Sequence, residues 1–190
     1  MRNRILVGLL LALIYGTFVF SVPHETVRAY GLETDLVMTY IPSAEKLKSE
    51  WGCEYDLYRA SGDPFTLHGI GYAAILLAVG QLFDEPVRGW EYFEASKWVS
   101  LVSGMAIIML GVIWLGILPG IISAVALGLN YRFFEICYSG CTDAIALALG
   151  LWGLYLAVKK HPLLGGILFG LVCCFRYEYL IFVWSTPQPT

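Results

Sequence analysis

Two carboxylates that could do acid–base chemistry, Glu33 and Asp35, lie just past the first long apolar run. A carboxylate within hydrogen-bond reach of a hydroxyl can take its proton while the oxygen attacks an electrophile. Asp35 also stands immediately before a stretch with helical periodicity, where aspartate is a favoured N-cap. One carboxylate oxygen can cap the helix while the other faces a substrate. We therefore expect Asp35 to be the base, with Glu33 as the alternative.

Cationic side chains that could bind a phosphate occur at two other places. Arg176 and Glu178 interrupt the apolar run 163–184. An arginine at mid-helix costs about 2.5–3.5 kcal/mol on insertion scales, so such residues usually face a protein interior or a watery cavity. Snorkelling of Arg176 to the lipid headgroups is the competing interpretation. The Arg176 guanidinium offers a planar pair of donors that matches phosphate oxygens. His68 is a weaker candidate for binding a phosphate.

Further charged residues stand near the ends of predicted helices. Asp143 follows Gly140-Cys141-Thr142 and opens a helix, a position where the helix N-terminus stabilises an anion. A structural role and a place in a site both fit Asp143. Arg132 and Glu135 are three residues apart, and we expect them to pair with each other.

The composition indicates an integral membrane protein. Of the 190 residues, 58% are hydrophobic and 14% are charged, against roughly 45–50% apolar residues in soluble domains. The mean hydropathy is +0.68. The net charge of -3 comes without a basic cluster of the kind that follows a phosphate backbone, which argues against nucleic acid as a partner.

The apolar runs predict an all-α, polytopic membrane protein with about five spanning helices. A hydrocarbon core of roughly 30 Å needs about 20 residues of helix. Arg2 and Arg4 precede the first run, which predicts a cytoplasmic N-terminus and a multi-pass protein of the cell membrane. The predicted spans are residues 5–22, 98–118, 119–135, 143–158 and 163–184.

A sixth run, 65–83, raises the question of which run does not cross. Lys159 and Lys160 belong on the cytoplasmic side by the positive-inside rule, so one run ahead of them must fail to span. The runs 65–83 and 119–135 are both weak enough to be that run. Either choice leaves Asp35 and Asp143 on the same outer face.

The predicted outer loop, residues 23–97, contains a helical pattern of its own. Apolar residues recur at steps of three and four, the stripe of an amphipathic helix that lies on the bilayer. Pro42 is expected to interrupt it and produce two short interfacial helices, with Glu45 among the residues on the other faces. The members of the stripe are Val37, Tyr40, Ala44, Leu47 and Trp51.

No cofactor is predicted. The five cysteines show no spacing typical of a zinc site, and nothing in the sequence supports a divalent metal. Nucleotide-binding glycine loops are absent.

The order of these features resembles the N-terminal part of GT-C membrane glycosyltransferases, in particular the relatives of protein O-mannosyltransferases and aminoarabinose transferases. The resemblance rests on short motifs in sequence order more than on identity. The motifs are Glu33-Thr34-Asp35 with Tyr40 following, His68-Gly69-Ile70-Gly71-Tyr72, Cys141-Thr142-Asp143, and Gly165-Gly166-Ile167-Leu168-Phe169-Gly170-Leu171 leading to Arg176-Tyr177-Glu178.

The resemblance implies an inverting transferase that uses a polyprenyl-phosphate sugar at the outer membrane face. Asp35 corresponds to the family's catalytic base, and Asp143 to an acid that lines the site; Tyr40 and Glu178 are further lining residues. It favours 65–83 as the non-crossing run. It also implies that this chain, which ends in a polar tail at 185–190, is part of a longer protein. Neither the sugar nor the acceptor, whether lipid A, protein or another hydroxyl, follows from it.

Two other functions compete with this one. Part of a transporter could use Arg176 and Glu178 to line a pathway, although no inverted repeat is visible. A structural subunit could assemble through small residues, a role open to Gly104, Gly111, Gly116, Gly165, Gly166 and Gly170.

Overall fold

The described part of the chain is a bundle of α-helices without strands. The computed structural model describes residues 1–22, 36, 40–50, 70–83, 90–140 and 142–175. Its helices are α1 (Arg2–Ser21), α2 (Ile41–Glu50), α3 (Ile70–Gly80), α4 (Trp90–Leu115), α5 (Ile117–Gly128), α6 (Tyr131–Tyr138), α7 (Thr142–Val158) and α8 (Pro162–Phe175). The prediction of an all-α protein is confirmed for these residues.

Helices α1 and α4 run antiparallel, and α4 also packs against α3, α5, α6 and α7. Small residues of α1 let the two backbones approach, because a Cβ at Gly8 would lie 3.1 Å from the carbonyl oxygen of Met109. Near the start of α1, the Arg4 Nη1 donates to the carbonyl of Ile113 at 3.4 Å. Near its end, the rings of Phe20 and Trp98 lie 5.6 Å apart.

Helix α7 runs parallel to α4, so the bundle has two distinct ends. The Trp152 Nε1 donates to the carbonyl of Ala106 at 3.2 Å, and the rings of Trp114 and Tyr155 lie 5.8 Å apart. We call the end that holds Arg2, Arg4, Lys159 and Lys160 the basic end. We call the opposite end, where α6 meets α7 at residues 138–142, the junction end.

Among the residues that the structure describes, two helices are long and apolar enough to cross a membrane, fewer than the five predicted. They are Arg2–Ser21 and Glu91–Leu115, and a bent pair, Ile117–Gly128 with Tyr131–Tyr138, makes a third if it counts as one span. Helix α7 has 17 residues, about 25 Å at 1.5 Å per residue, which is short of a hydrocarbon core. The described part of α8 has 14.

The predicted spans 98–118 and 119–135 differ from the structure at their boundaries. Helix α4 begins at Trp90 and ends at Leu115, because Gly116 adopts a φ of 99° and turns the chain back. The second span is broken into α5 and α6, which meet at 76°. Asn130 causes this break, since its side chain accepts a hydrogen bond from the Phe133 backbone and caps a new helix.

The described members of the apolar stripe of α2 are buried within the protein, whereas Val37 and Trp51 lie outside the described residues. That this segment lies along the bilayer surface stays a prediction. Tyr40, Ala44 and Leu47 are all buried against residues of α3 and α4. Pro42 lies in the first turn of α2, where a missing N–H removes no intrahelical bond. Glu45, which we expected on a face other than the stripe, is also covered, since its side chain is only 4% exposed.

Helix α3 is short, and both its ends lie near the junction end of the bundle. It has 11 residues, about 16 Å of helix. At its start the Tyr72 hydroxyl contacts the junction itself. At its end a Cβ on Gly80 would lie 2.9 Å from the ring of Tyr92, in the first turn of α4. That the run 65–83 does not cross stays a prediction.

Tryptophans on α4 are spaced as expected for the two faces of a membrane. Trp98 and Trp114 are about 24 Å apart along the helix axis, and tryptophan is enriched where hydrocarbon meets the headgroups. Large apolar side chains are exposed around the bundle between them, including Leu10, Ile14 and Ile122. These surfaces fit contact with lipid.

The close crossing of α7 and α8 yields a matched pair of variants. A Cβ at Gly165 would lie 2.8 Å from the Gly153 carbonyl oxygen, whereas a Cβ at Gly166 would meet nothing within 4 Å. Gly165→Ala should therefore lower the free energy of unfolding by about 1–3 kcal/mol through overpacking. Gly166→Ala should leave it unchanged or raise it slightly, since alanine favours helix. Thermal unfolding in detergent measures both, and equal effects would contradict the close crossing.

Candidate functional site

The junction between α6 and α7 is a tightly packed turn that depends on glycine. Gly140 adopts a φ of 70°, in the left-handed region. A Cβ at this position would lie 2.5 Å from the Ser96 Oγ and 3.3 Å from the Leu36 Cδ2. The turn is therefore pressed between α4 and the segment that leads to α2.

Two tyrosines hold the junction from the sides of α2 and α3. The Tyr72 hydroxyl donates to the Gly140 carbonyl at 2.5 Å. The Tyr40 Oη and the Thr142 Oγ1 are 3.1 Å apart and share a hydrogen bond. The rings of Tyr40 and Tyr72 meet edge to face with centroids 5.0 Å apart. Both tyrosines are fully buried, so each hydroxyl needs such a partner.

The end of α8 reaches the same cluster. The Phe175 ring lies 6.5 Å from that of Tyr72, and Phe175 is buried in the same apolar core as Leu36 and Tyr40. The backbones of α3 and α8 approach closely here, since a Cβ at Gly71 would lie 2.9 Å from the carbonyl oxygen of Cys174. We call Leu36, Tyr40, Tyr72, Gly140, Thr142 and Phe175 the junction cluster.

The structure describes two of the predicted site residues. Tyr40 belongs to the junction cluster, and Asp143 follows Thr142 in the first turn of α7, where it is partly buried. Asp143 therefore stands at a helix start, as predicted. The other predicted site residues, Glu33, Asp35, His68, Arg176 and Glu178, lie outside the described residues.

Members of the junction cluster are close in sequence to those other candidates. Leu36 follows Asp35, Tyr72 comes four residues after His68, and Phe175 precedes Arg176. The members of the cluster therefore come from distant parts of the chain, and most of them lie within four residues of a predicted site residue in the sequence. Thr142, which precedes Asp143, completes it.

The residue types of Tyr72, Gly140 and Thr142 did not predict that these residues meet at the junction. Gly140 offered a signal, since a glycine shortly before a helix start often marks a left-handed turn. The contact of Tyr72 with the junction joins residues 68 positions apart, and no local pattern predicts such a pairing.

Carboxylates among the described residues concentrate at the junction end. Glu91 and Glu94 lie in the first turns of α4, Glu135 in α6 and Asp143 in α7. The predicted pair of Arg132 and Glu135 is confirmed, with Nη1 and Oε2 2.8 Å apart. No three His, Cys, Asp or Glu side chains in the described ranges are grouped so that they could hold a metal ion.

An open cleft lies towards the junction end, between α1, α4 and α6, and shares no lining residue with the junction cluster. It contains about 350 Å³ of space that opens to the outside, and most of its wall is apolar. Glu94 and Lys97 form an ion pair on one side of it, with 2.5 Å between the Lys97 Nζ and Glu94 Oε1. The residues that line it are Val19, Phe20, Glu94, Lys97, Trp98, Leu101, Cys137 and Tyr138.

Comparisons with known proteins identify no relative. No protein family, no curated protein and no solved structure matches this chain.

Proposed function

We propose that this chain is part of a GT-C-type membrane glycosyltransferase that moves a sugar from a polyprenyl-phosphate donor to an acceptor hydroxyl. The observation that supports it most is the junction cluster. Four segments that carry a predicted base, lining acid or phosphate ligand lead to the cluster from different parts of the sequence. A displacement reaction needs such groups around one point, because proximity and orientation supply much of the rate enhancement.

The proposed reaction is a single displacement at the anomeric carbon of the sugar. Asp35 accepts the proton of the acceptor hydroxyl as its oxygen forms the new bond to that carbon. The bond from the carbon to the phosphate oxygen breaks, and the polyprenyl phosphate leaves with the electron pair. Arg176 stabilises the negative charge on the departing phosphate, with His68 as a second donor. Attack from the opposite face inverts the anomeric centre.

The surroundings of the junction cluster suit a lipid-linked donor. The cleft between α1, α4 and α6 offers apolar side chains such as Val19 and Leu101 beside a charged pair. An isoprenoid tail gains from contact with such a wall, while its phosphate stays near the polar end of the bundle. Trp98 is 42% exposed at this level, as expected of a residue at the membrane interface.

Two or three of the described helices are long enough to span, and we propose five crossings with the basic end in the cytoplasm because the helices alternate in direction. Helix α1 leads from the basic end to the junction end, and α4 returns. The pair α5 and α6 leads back to the junction, since the Tyr138 hydroxyl donates to the Val22 carbonyl at 3.2 Å. Helix α7 then runs from the junction end to the basic end, and α8 runs back to the junction end. Under the positive-inside rule, the junction end faces the extracytoplasmic side of the cell membrane.

Photolabelling with a donor analogue tests this function. A polyprenyl-phosphate sugar with a photoreactive group in its isoprenoid should label the chain in membranes, and mass spectrometry should map the adducts to the junction end. An excess of unlabelled donor should suppress the adducts, whereas polyprenol without phosphate should not, because the phosphate carries the charge that is recognised. Labelling that is spread over the lipid-facing surface, or that polyprenol suppresses equally, would contradict the proposal.

A further inference from the structure

In the described part of the chain, the basic end of the bundle carries cations without carboxylates. Arg2 and Arg4 lie in the first turn of α1, and Lys159 and Lys160 form the turn between α7 and α8. The acids of the described ranges lie elsewhere: Glu45 and Glu50 in α2, and Glu91, Glu94, Glu135 and Asp143 towards the junction end. None of the four cations forms an ion pair with a described carboxylate.

Tertiary contacts bring the two pairs of cations to one end. A Cβ at Gly116 would lie 3.7 Å from the Arg4 Nη2, and the helix that ends just before Gly116 carries Trp114. The Trp114 ring contacts Tyr155, whose ring lies 5.8 Å from the Lys159 Nζ. Charges that are more than 150 residues apart in sequence therefore form one surface.

Apolar side chains surround these cations. Leu6, Leu118 and Leu163 are 57%, 70% and 77% exposed at this end. The aromatic residues Trp114, Trp152 and Tyr155 contact one another just inside the charges, and such residues are typical of the headgroup level of a bilayer. A soluble polyanion would gain nothing from exposed leucines, whereas a lipid offers both an anion and a hydrocarbon chain.

We propose that the basic end is a binding surface for anionic phospholipids. The headgroup phosphates pair with Arg2, Arg4, Lys159 and Lys160, and the acyl chains pack on the neighbouring leucines. Each basic residue near an anionic membrane surface strengthens lipid association roughly fivefold. This binding does not depend on the transferase activity, so either can fail without the other.

Fluorescence quenching measures directly whether the basic end prefers an anionic to a zwitterionic phospholipid. The full chain is reconstituted in vesicles of phosphatidylcholine mixed with phosphatidylglycerol, and one of the two lipids is brominated in each series. Bromine quenches nearby tryptophan, and Trp114 lies at the basic end. We expect stronger quenching by brominated phosphatidylglycerol than by brominated phosphatidylcholine. Trp114→Phe combined with Trp152→Phe should remove most of this difference, because both tryptophans lie at the basic end, and salt should reduce it through screening.

Charge removal supplies the decisive variants. Lys159→Gln with Lys160→Asn should lower the relative affinity for phosphatidylglycerol on the order of tenfold or more. Asparagine tolerates the left-handed backbone at Lys160, where φ is 65°, so the turn is kept. Arg2→Gln, in a different segment, should lower the affinity roughly fivefold. The matched control, Lys46→Gln with Lys48→Gln on α2, should keep the preference of the parent chain.

Three outcomes would overturn the proposal. The first is equal quenching by the two lipids in the parent chain. The second is an undiminished preference for phosphatidylglycerol in both the lysine and the Arg2 variants. The third is a loss of that preference in the α2 control equal to the loss in the lysine variant. Competition by excess inorganic phosphate at constant ionic strength would also overturn it, because it would assign the cations to a soluble anion. Circular dichroism of each variant verifies that the helices are retained.

Discussion

Replacing Asp35 by asparagine is expected to abolish sugar transfer while leaving donor binding intact. Loss of a general base lowers the rate of the chemical step by about 10²–10⁴-fold. Asparagine is nearly as good an N-cap as aspartate, so the substitution removes the proton acceptor and keeps the predicted capping role. The measurement is the rate of transfer from a radiolabelled polyprenyl-phosphate sugar in membranes, beside photolabelling by the donor analogue.

Glu33→Gln is the matched control, because it changes the neighbouring carboxylate in the same way. We expect it to retain transfer within a few-fold of the parent. Loss of transfer in Glu33→Gln together with activity in Asp35→Asn would assign the base to Glu33. Full activity in both variants would contradict carboxylate base catalysis by this segment, and loss of donor labelling in Asp35→Asn would show that the residue acts in binding or folding.

Replacing Gly140 by alanine is expected to disrupt the junction cluster. A left-handed backbone costs an L-residue roughly 1–2 kcal/mol, and the new Cβ would lie 2.5 Å from the Ser96 Oγ. With the overpacking added, the free energy of unfolding should fall by about 2–4 kcal/mol. The Gly140 carbonyl would move away from the Tyr72 hydroxyl, so transfer should fall as well. Thermal unfolding in detergent and the transfer assay measure the two effects.

Two further variants separate the causes of this loss. Gly150→Ala, in the middle of α7, adds a Cβ that meets nothing within 4 Å, so it should be neutral or stabilising by up to about 1 kcal/mol. Ser96→Ala combined with Gly140→Ala removes the oxygen that clashes, and it should restore part of the stability but not the part lost to backbone strain. An unchanged melting temperature in Gly140→Ala alone would contradict the packing of the junction.

Local patterns predicted those features in which nearby residues determine the structure. The ion pair of Arg132 and Glu135 follows from their spacing on a helix, and Asp143 stands in the first turn of α7 as its sequence predicts. Helix α2 forms where the helical period of the stripe predicts one. Each of these depends on interactions within about one turn of helix, where the sequence contains most of the relevant information.

Predictions that depended on more distant neighbours fared less well. The run 119–135 reads as one apolar helix, but the cap at Asn130 and the bend between α5 and α6 divide it. Glu45 lies off the apolar stripe of α2, yet it is buried as well. Hydropathy averages over such positions and does not indicate which protein surface will cover a residue.

The sequence by itself determined that this protein is helical, that its surface suits a membrane, and which residues could act as base or phosphate ligand. Composition and helical period suffice for these conclusions, because burial of apolar side chains and backbone hydrogen bonding act locally. Only the tertiary structure decided that Tyr40, Tyr72, Phe175 and the Gly140 turn meet. That meeting depends on close approach between helices distant in sequence, and the positions of single glycines and hydroxyls determine it.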